Sequence, residues 1–210
     1  MFTIADRRLY LCVNHRPDMA TFLPSVLRGG VDIVQLRDKV LDDDHLRASA
    51  TLMAAICRDF GVPFIVNDSP VLALETGADG VHVGQEDATV QHCRDVLGPD
   101  AIVGLSTHDP AEFTRALSQA TTYRSAGPLV ATPTKPGRPG TGLEYAVDCT
   151  RRSEQPVFVT GGVSASNVAS LVRAGLRHFV VVRAITDAPD PRGAARDIRR
   201  AIDDSLAQVP

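Results

Sequence analysis

Two hydrophobic patterns alternate along this chain. Short runs of Val, Ile, Leu and Phe are separated by segments in which apolar residues recur every three or four positions. The first pattern belongs to strands buried on both faces, and the second to helices with one buried side. Residues 8–14 (RLYLCVN) read as the first strand, and 18–28 as a helix stopped by Gly29-Gly30. The second strand opens 31–39 (VDIVQLRDK), and Asp43 or Asp44 caps a helix that ends near Gly61. Strand three is 63–67 (PFIVN), with a short helix over 70–76. Strand four is 80–84 (GVHVG), with a helix over 89–97. Strand five is 101–105 (AIVGL), with a helix from 110 to about 120. Strand six is 122–126, the least apolar of the set, followed by a Gly/Pro/Thr loop over 127–142 and a helix over 143–152. Strand seven is 156–160, and Ser164 caps a helix through Ala174. Strand eight is 177–182, and Pro191 begins a final helix.

Strand-then-helix units repeating about every 20 to 25 residues predict a parallel sheet. Eight units point to a single (β/α)8 TIM barrel over residues 1–210. An open, doubly wound sheet is the alternative, less favoured because it would usually need a longer crossover.

In a barrel, the loops at the C-terminal strand ends build the site. Strand two ends in Gln35, Arg37 and Lys39, which share one face if the strand persists that far. Strand three ends in Asn67 and Asp68, strand four in Gln85 and Asp87, and strand five in Ser106 and His108. Thr132, Thr134 and Lys135 follow strand six. Gly161-Gly162 follows strand seven, and Arg183 ends strand eight. Arg37 and Lys39 suit a polyanion, and two carboxylates on neighbouring strands suit Mg²⁺. Asp68 also fits a plain turn before Ser69-Pro70, and Asp87 a plain helix cap before Thr89. The amides of Gly162 can approach a phosphate closely. His82, in an apolar strand, reads as a satisfied core residue more readily than as a ligand.

Composition narrows the chemistry further. The chain has 210 residues, 44% hydrophobic, and a formal charge of −3, which favours one globular unit and gives no support to nucleic-acid binding. No run is long enough to span a membrane, and the start lacks the apolar core of a signal peptide. The four cysteines form no CxxC pair and suit a reducing, cytoplasmic setting. There is no P-loop, GxSxG elbow or zinc spacing.

QLRDK at 35–39, ND at 67–68, GADGVHVGQED at 77–87, GLSTH at 104–108, GPLVATPTKPGRPGTGL at 127–143, GG at 161–162 and VVVRAI at 180–185 together resemble the thiamine-phosphate synthase family. The likeness runs through nearly the whole chain, in order. It implies a (β/α)8 barrel that joins a pyrimidine diphosphate to a thiazole phosphate with Mg²⁺, releasing pyrophosphate. It implies that Gln35, Leu36, Arg37, Asp38, Lys39, Asn67, Ser106 and Lys135 contact the pyrimidine diphosphate, with Arg37, Lys39, Ser106 and Lys135 catalytic. Asp68 and Asp87 would hold the metal. Thr132, Pro133, Thr134, Gly162, Val182 and Arg183 would hold the thiazole phosphate. The partners so implied are small phosphorylated molecules, and the resemblance suggests a homodimer. Ser69, Ala131 and Arg183 depart from the commonest form of these motifs. A thiazole tautomerase on the same fold, and a non-catalytic phosphate sensor, are the competing readings. The paired aspartates and the QLRDK row argue against the first, and an idle metal site against the second.

Overall fold

The computed structural model describes residues 2–132, 137 and 139–209. Eight parallel strands close into a barrel in chain order: β1 Leu9–Val13, β2 Ile33–Leu36, β3 Phe64–Asn67, β4 Gly80–Val83, β5 Ile102–Thr107, β6 Tyr123–Ala126, β7 Val157–Val159 and β8 His178–Val181. Pairing of β1 with β8, in the register Leu9 with Phe179 and Leu11 with Val181, closes the cylinder and removes the open-sheet alternative. The helices between strands are α1 Met19–Arg28, α2 Asp43–Asp59, α3 Pro70–Thr76, α4 Val90–Leu97, α5 Pro110–Ala116, α6 Gly142–Arg152 and α7 Val168–Arg173. After β8 come α8 Arg183–Thr186 and α9 Pro191–Leu206.

Strand alternation divides the apolar residues into two cores. Leu9, Leu11, Val34, Leu36, Phe64, Val66, Val81, Val103, Val159 and Phe179 point outward and pack with the helices. Tyr10, Ile33, Ile65, Ile102, Tyr123 and Phe158 point inward and, with Ile4, fill the lower part of the barrel. Further along the strands, two residues on in most and four in β5, the inward positions change character: Cys12, Gln35, Asn67, His82, Ser106, Ser125 and Thr160. The barrel is therefore plugged at one end and chemically furnished at the other.

Several boundaries differ from those read in the sequence, each for a local reason. β2 stops at Leu36, so Lys39 lies in a loop. Asp42, not Asp43 or Asp44, caps α2 by accepting from the His45 N–H. α5 ends at Ala116 because the buried Arg124 guanidinium takes the Ala116 and Leu117 carbonyls. That same side chain explains how the polar strand β6 can be buried throughout. Ser164 begins a turn, and α7 starts only at Val168: Asn167 Oδ1 accepts from the Ser164 N–H. The four-residue α8 was not expected.

Candidate active site

A cavity of about 670 Å³ opens at the C-terminal ends of the strands. Gln35, Arg37 and Lys39 from the end of β2 line it, although the strand itself ends before Arg37. Asn67 and Asp68 from β3, Asp87 after β4, Ser106 and His108 from β5, and Thr132 after β6 line it too. Gly161, Gly162, Val182 and Arg183, after β7 and β8, complete the wall. Pro133, Thr134 and Lys135 lie outside the described residues.

Two residues of the QLRDK run face elsewhere. The Leu36 side chain is buried in the outer core. Asp38 binds the chain together beside the site: its carboxylate accepts from the backbone N–H groups of His15, Val40 and Leu41. Burial alone would raise Asp38, but these donors hold it below the usual carboxylate range. These bonds tie the loop that carries Arg37 and Lys39 to itself and to the residues after β1.

The two aspartates are not helix caps. Ser69 caps α3 by accepting from Leu72, and Thr89 caps α4 by accepting from His92. Asp68 adopts φ of 64°, an uncommon conformation for a side chain-bearing residue. Asp87 accepts from the Gly84 N–H at 2.8 Å and lies within hydrogen-bonding reach of Asp68. Lys39 Nζ sits 3.0 Å from Asp68 Oδ2. Burial raises the Asp68 carboxyl, Lys39 opposes that rise, and Asp87 adds to it. Burial pushes Asp87 the same way, but the Gly84 amide, the hydrogen bond with Asp68 and nearby Lys39 hold it low. A proton shared between two facing carboxylates relieves their repulsion, and a divalent cation would relieve it further. The donor set, two hard oxygen ligands with open space beside them, fits Mg²⁺, which keeps several waters and phosphate oxygens in its shell. Among the described residues there is no group of three or more His, Cys, Asp or Glu that could hold a metal.

Gly161 and Gly162 have φ of 93° and 77°. A side chain at Gly161 would collide with Pro128 and the Leu129 amide, and one at Gly162 with Val130. The turn between β7 and α7 therefore exposes bare backbone to the cavity. With the loop after β8 and the short α8, it occupies the position where barrels of this kind commonly bind phosphate.

The strand-end pattern left other wall residues unnoticed. His82 is buried, as expected, yet also lines the cavity between Tyr123 Oη at 3.0 Å and Ser106 Oγ at 2.8 Å. Tyr10, Cys12, Glu112, Tyr123, Ser125 and Thr160 face the cavity as well. Their signal was the period-two alternation carried inward from each strand, rather than the strand tips alone. Gln85 donates to the Ser106 carbonyl at 2.6 Å, and Glu112 Oε2 holds His108 Nδ1 at 3.0 Å.

A closed (β/α)8 barrel with cations, hydroxyls, bare amides and a carboxylate pair around one cavity at its C-terminal rim has the build of a barrel enzyme acting on phosphorylated small molecules. Similarity to known proteins narrows that class. The family described as thiamine monophosphate synthase matches over residues 9–185. A thiamine-phosphate synthase of Thermus thermophilus is 44% identical over 201 residues, covering 93% of this chain and 97% of that one. One from Mycobacterium tuberculosis is 41% identical over 214 residues, covering 95% and 96%. The chain belongs to the thiamine-phosphate synthase family, and is a transferase of thiamine biosynthesis. A solved thiamine phosphate pyrophosphorylase from Pyrococcus furiosus superposes with a TM-score of 0.87 at 24% identity, over 96% of this chain and 98% of that one. The 3-hexulose-6-phosphate synthase of Salmonella typhimurium, at 0.73 and 21% identity over 94% and 99%, shares the fold. No helix among the described residues is long and apolar enough to cross a membrane.

Proposed function

We propose that this enzyme joins 4-amino-2-methyl-5-(diphosphooxymethyl)pyrimidine to 4-methyl-5-(2-phosphoethyl)thiazole, or to its carboxylated form, giving thiamine phosphate and pyrophosphate. The observation that carries this reading is the convergence of Arg37, Lys39, Asn67, Asp68, Asp87 and Ser106, from four consecutive strand ends, on the cavity that Gly162, Val182 and Arg183 close from the far side. One side suits a diphosphate and the other a second phosphate. The space between them suits two heterocycles.

The chemistry is dissociative. The carbon–oxygen bond to the diphosphate breaks first, leaving a pyrimidinylmethyl cation, and the thiazole nitrogen attacks that carbon. No protein nucleophile is needed. Arg37 and Lys39 supply fixed positive charge where negative charge grows on the leaving group, and Gln35, Asn67 and Ser106 can donate hydrogen bonds there. A unit pair at about 4 Å is worth roughly 4 kcal/mol at an effective dielectric of 20. Only the part gained as the bond breaks speeds the reaction. Asp68 and Asp87 would hold Mg²⁺, which supplies further positive charge to the diphosphate oxygens. Thr132, with Pro133 and Thr134, and the backbone at Gly162 and Val182-Arg183 would bind the thiazole phosphate. Lys135 would join the diphosphate contacts.

The test is direct. Purified protein is mixed with both substrates, with and without Mg²⁺, and products are followed by phosphorus NMR. Thiamine phosphate and pyrophosphate should form in equal amounts, only with both substrates, and faster with Mg²⁺. Asp87→Ala should slow the reaction by about 10²- to 10³-fold with the fold retained. A wild-type rate in that variant would remove the metal assignment.

A further inference from the structure

Beneath the ligand-facing residues, a continuous line of hydrogen bonds crosses the inside of the barrel. Gln35 Nε2 donates to Tyr10 Oη at 2.7 Å. Tyr10 Oη lies 2.8 Å from Tyr123 Oη, and Tyr123 Oη 3.0 Å from His82 Nδ1. His82 Nε2 lies 2.8 Å from Ser106 Oγ. The line thus starts on one cavity wall at β2 and ends on another at β5. Between them it passes through two tyrosines that sit in the lower core with Ile33, Ile65, Ile102 and Phe158.

A hydroxyl has one proton to give but can accept more than one bond, so the direction follows from the first link together with the cost of leaving a buried phenol proton without an acceptor. An amide nitrogen can only donate. The Gln35 amide is held in this orientation by Cys12, whose thiol donates to Oε1 at 3.4 Å. Tyr10, having accepted, passes its own proton towards Tyr123, and Tyr123 passes its proton to His82 Nδ1. A ring nitrogen that accepts belongs to a neutral imidazole with its proton on the other nitrogen. His82 therefore donates from Nε2 to Ser106 Oγ. Ser106, already an acceptor, must turn its own hydrogen elsewhere. Its other hydroxyl neighbour among the described residues, Ser125 Oγ, is 3.4 Å away, long for a hydroxyl pair. The open direction is the cavity.

We propose that Tyr10 and Tyr123 are positioning residues: they set His82 as the Nε2–H tautomer and so present Ser106 to the ligand as a hydrogen-bond donor, suited to an anionic phosphate oxygen. The ligand part of this inference rests on reading the cavity as a diphosphate site; the tautomer part does not. Space filling alone does not account for the two phenols. Phenylalanine would fill the same volume without placing hydroxyl groups in an apolar layer, where they are costly unless bonded. Gly104, moreover, leaves room where a side chain would strike both the Tyr123 ring and His82 Nδ1. The strand forgoes a side chain there so that the phenol and the imidazole can meet.

Histidine ¹⁵N spectra of the ligand-free protein read the tautomer. His82 should show a protonated Nε2 and a bare Nδ1. Tyr123→Phe should let the proton exchange between the two nitrogens. Gln35→Glu, whose carboxylate can only accept, should reverse the line and place a proton on Nδ1. A wild-type Nδ1–H or imidazolium signal, or one spectrum shared by all three proteins, overturns the proposal. Gln35→Glu, on the cavity wall, keeps the test open should Tyr123→Phe not fold. Calorimetry with inorganic pyrophosphate and Mg²⁺ then reads the ligand part. Tyr123→Phe and Ser106→Ala should each weaken binding by about 5- to 10-fold, and the double variant no more than Ser106→Ala alone. Losses that multiply would reduce Tyr123 to a packing role and overturn the positioning claim. Failure of the wild-type protein to bind pyrophosphate would remove the diphosphate reading, and Ser106's part with it, whatever tautomer is found.

Discussion

Asp68 combines a left-handed backbone, partial burial and a facing carboxylate, each unfavourable to folding. Its ion pair with Lys39 offsets little, because more than half of the lysine side chain is exposed. Asparagine tolerates the same backbone and carries no charge. Asp68→Asn should therefore raise stability by about 0.5–1 kcal/mol at neutral pH without divalent cations, measured by urea unfolding. The same substitution should remove the effect of Mg²⁺ on turnover. A less stable variant would mean that the Lys39 pair outweighs the repulsion. The residue types at such positions were legible in the sequence, but their jobs were not. Taken singly, Asp68 fitted a turn and Asp87 a helix cap more readily than a metal site, yet Ser69 and Thr89 are the caps. Asp38 sits inside a motif whose neighbours face the cavity, yet its carboxylate gathers backbone amides. Spacing in the chain reports which way a side chain starts out, and only the surrounding donors decide where it ends.

At the scale of elements, β5 shows what the alternation of strands can carry. Ile102, Gly104 and Ser106 face inward: one is core, one is empty space and one is chemistry. Gly104→Ala would push a methyl group into the Tyr123 ring and His82. It should cost about 1–3 kcal/mol, seen as a lower urea midpoint with an unchanged slope. An unchanged midpoint would show that the two rings can move aside freely. Most elements were legible because hydrophobic period and capping residues are local signals; α3, over Pro70–Thr76, matches its expected bounds at both ends. Elements whose ends depend on partners elsewhere were not. α5 gives up its last turn to Arg124 on β6, and α7 starts late because Asn167 closes a turn onto Ser164 and Gly162. β2 ends before Arg37 and Lys39, so Lys39 reaches the cavity from a loop.

The whole molecule adds a pH dependence rooted at the end of the barrel opposite the site. His178, at the start of β8, packs on Phe158, points Nδ1 at the Arg7 carbonyl at 2.6 Å, and has Arg8 Nη1 3.2 Å from Nε2. Burial, with Arg8 and Arg177 nearby, pushes its pKa down to about 4, against the pull of the Arg7 carbonyl. The folded pKa lies below the unfolded one, so the neutral ring's contribution is whole above about pH 6.5. It is lost progressively as pH falls towards 4, because the unfolded chain takes up the proton first. The full effect is on the order of 3 kcal/mol. Burial raises Asp32 and Asp79, which works in the opposite sense at lower pH, so the difference between variants is the useful quantity. His178→Gln should lose less stability than the parent between pH 6.5 and 5 in thermal or urea unfolding. Parallel curves would show that His178 titrates alike in both states.

The succession of strand and helix, the apolar makeup of both cores and the polar residues at strand ends are all written locally. Side-chain period and capping chemistry act over a few residues, so the chain by itself determined them, and the family motifs with them. Closure of the sheet depends on β1 meeting β8 across nearly the whole chain, which no local pattern specifies. The same is true of the line from Gln35 through Tyr10, Tyr123 and His82 to Ser106, whose members come from five strands. Hydrogen bonds need atoms within about 3 Å and correctly aimed. Residues more than a hundred positions apart reach that geometry only when the barrel has closed around them, and that was for the tertiary structure to decide.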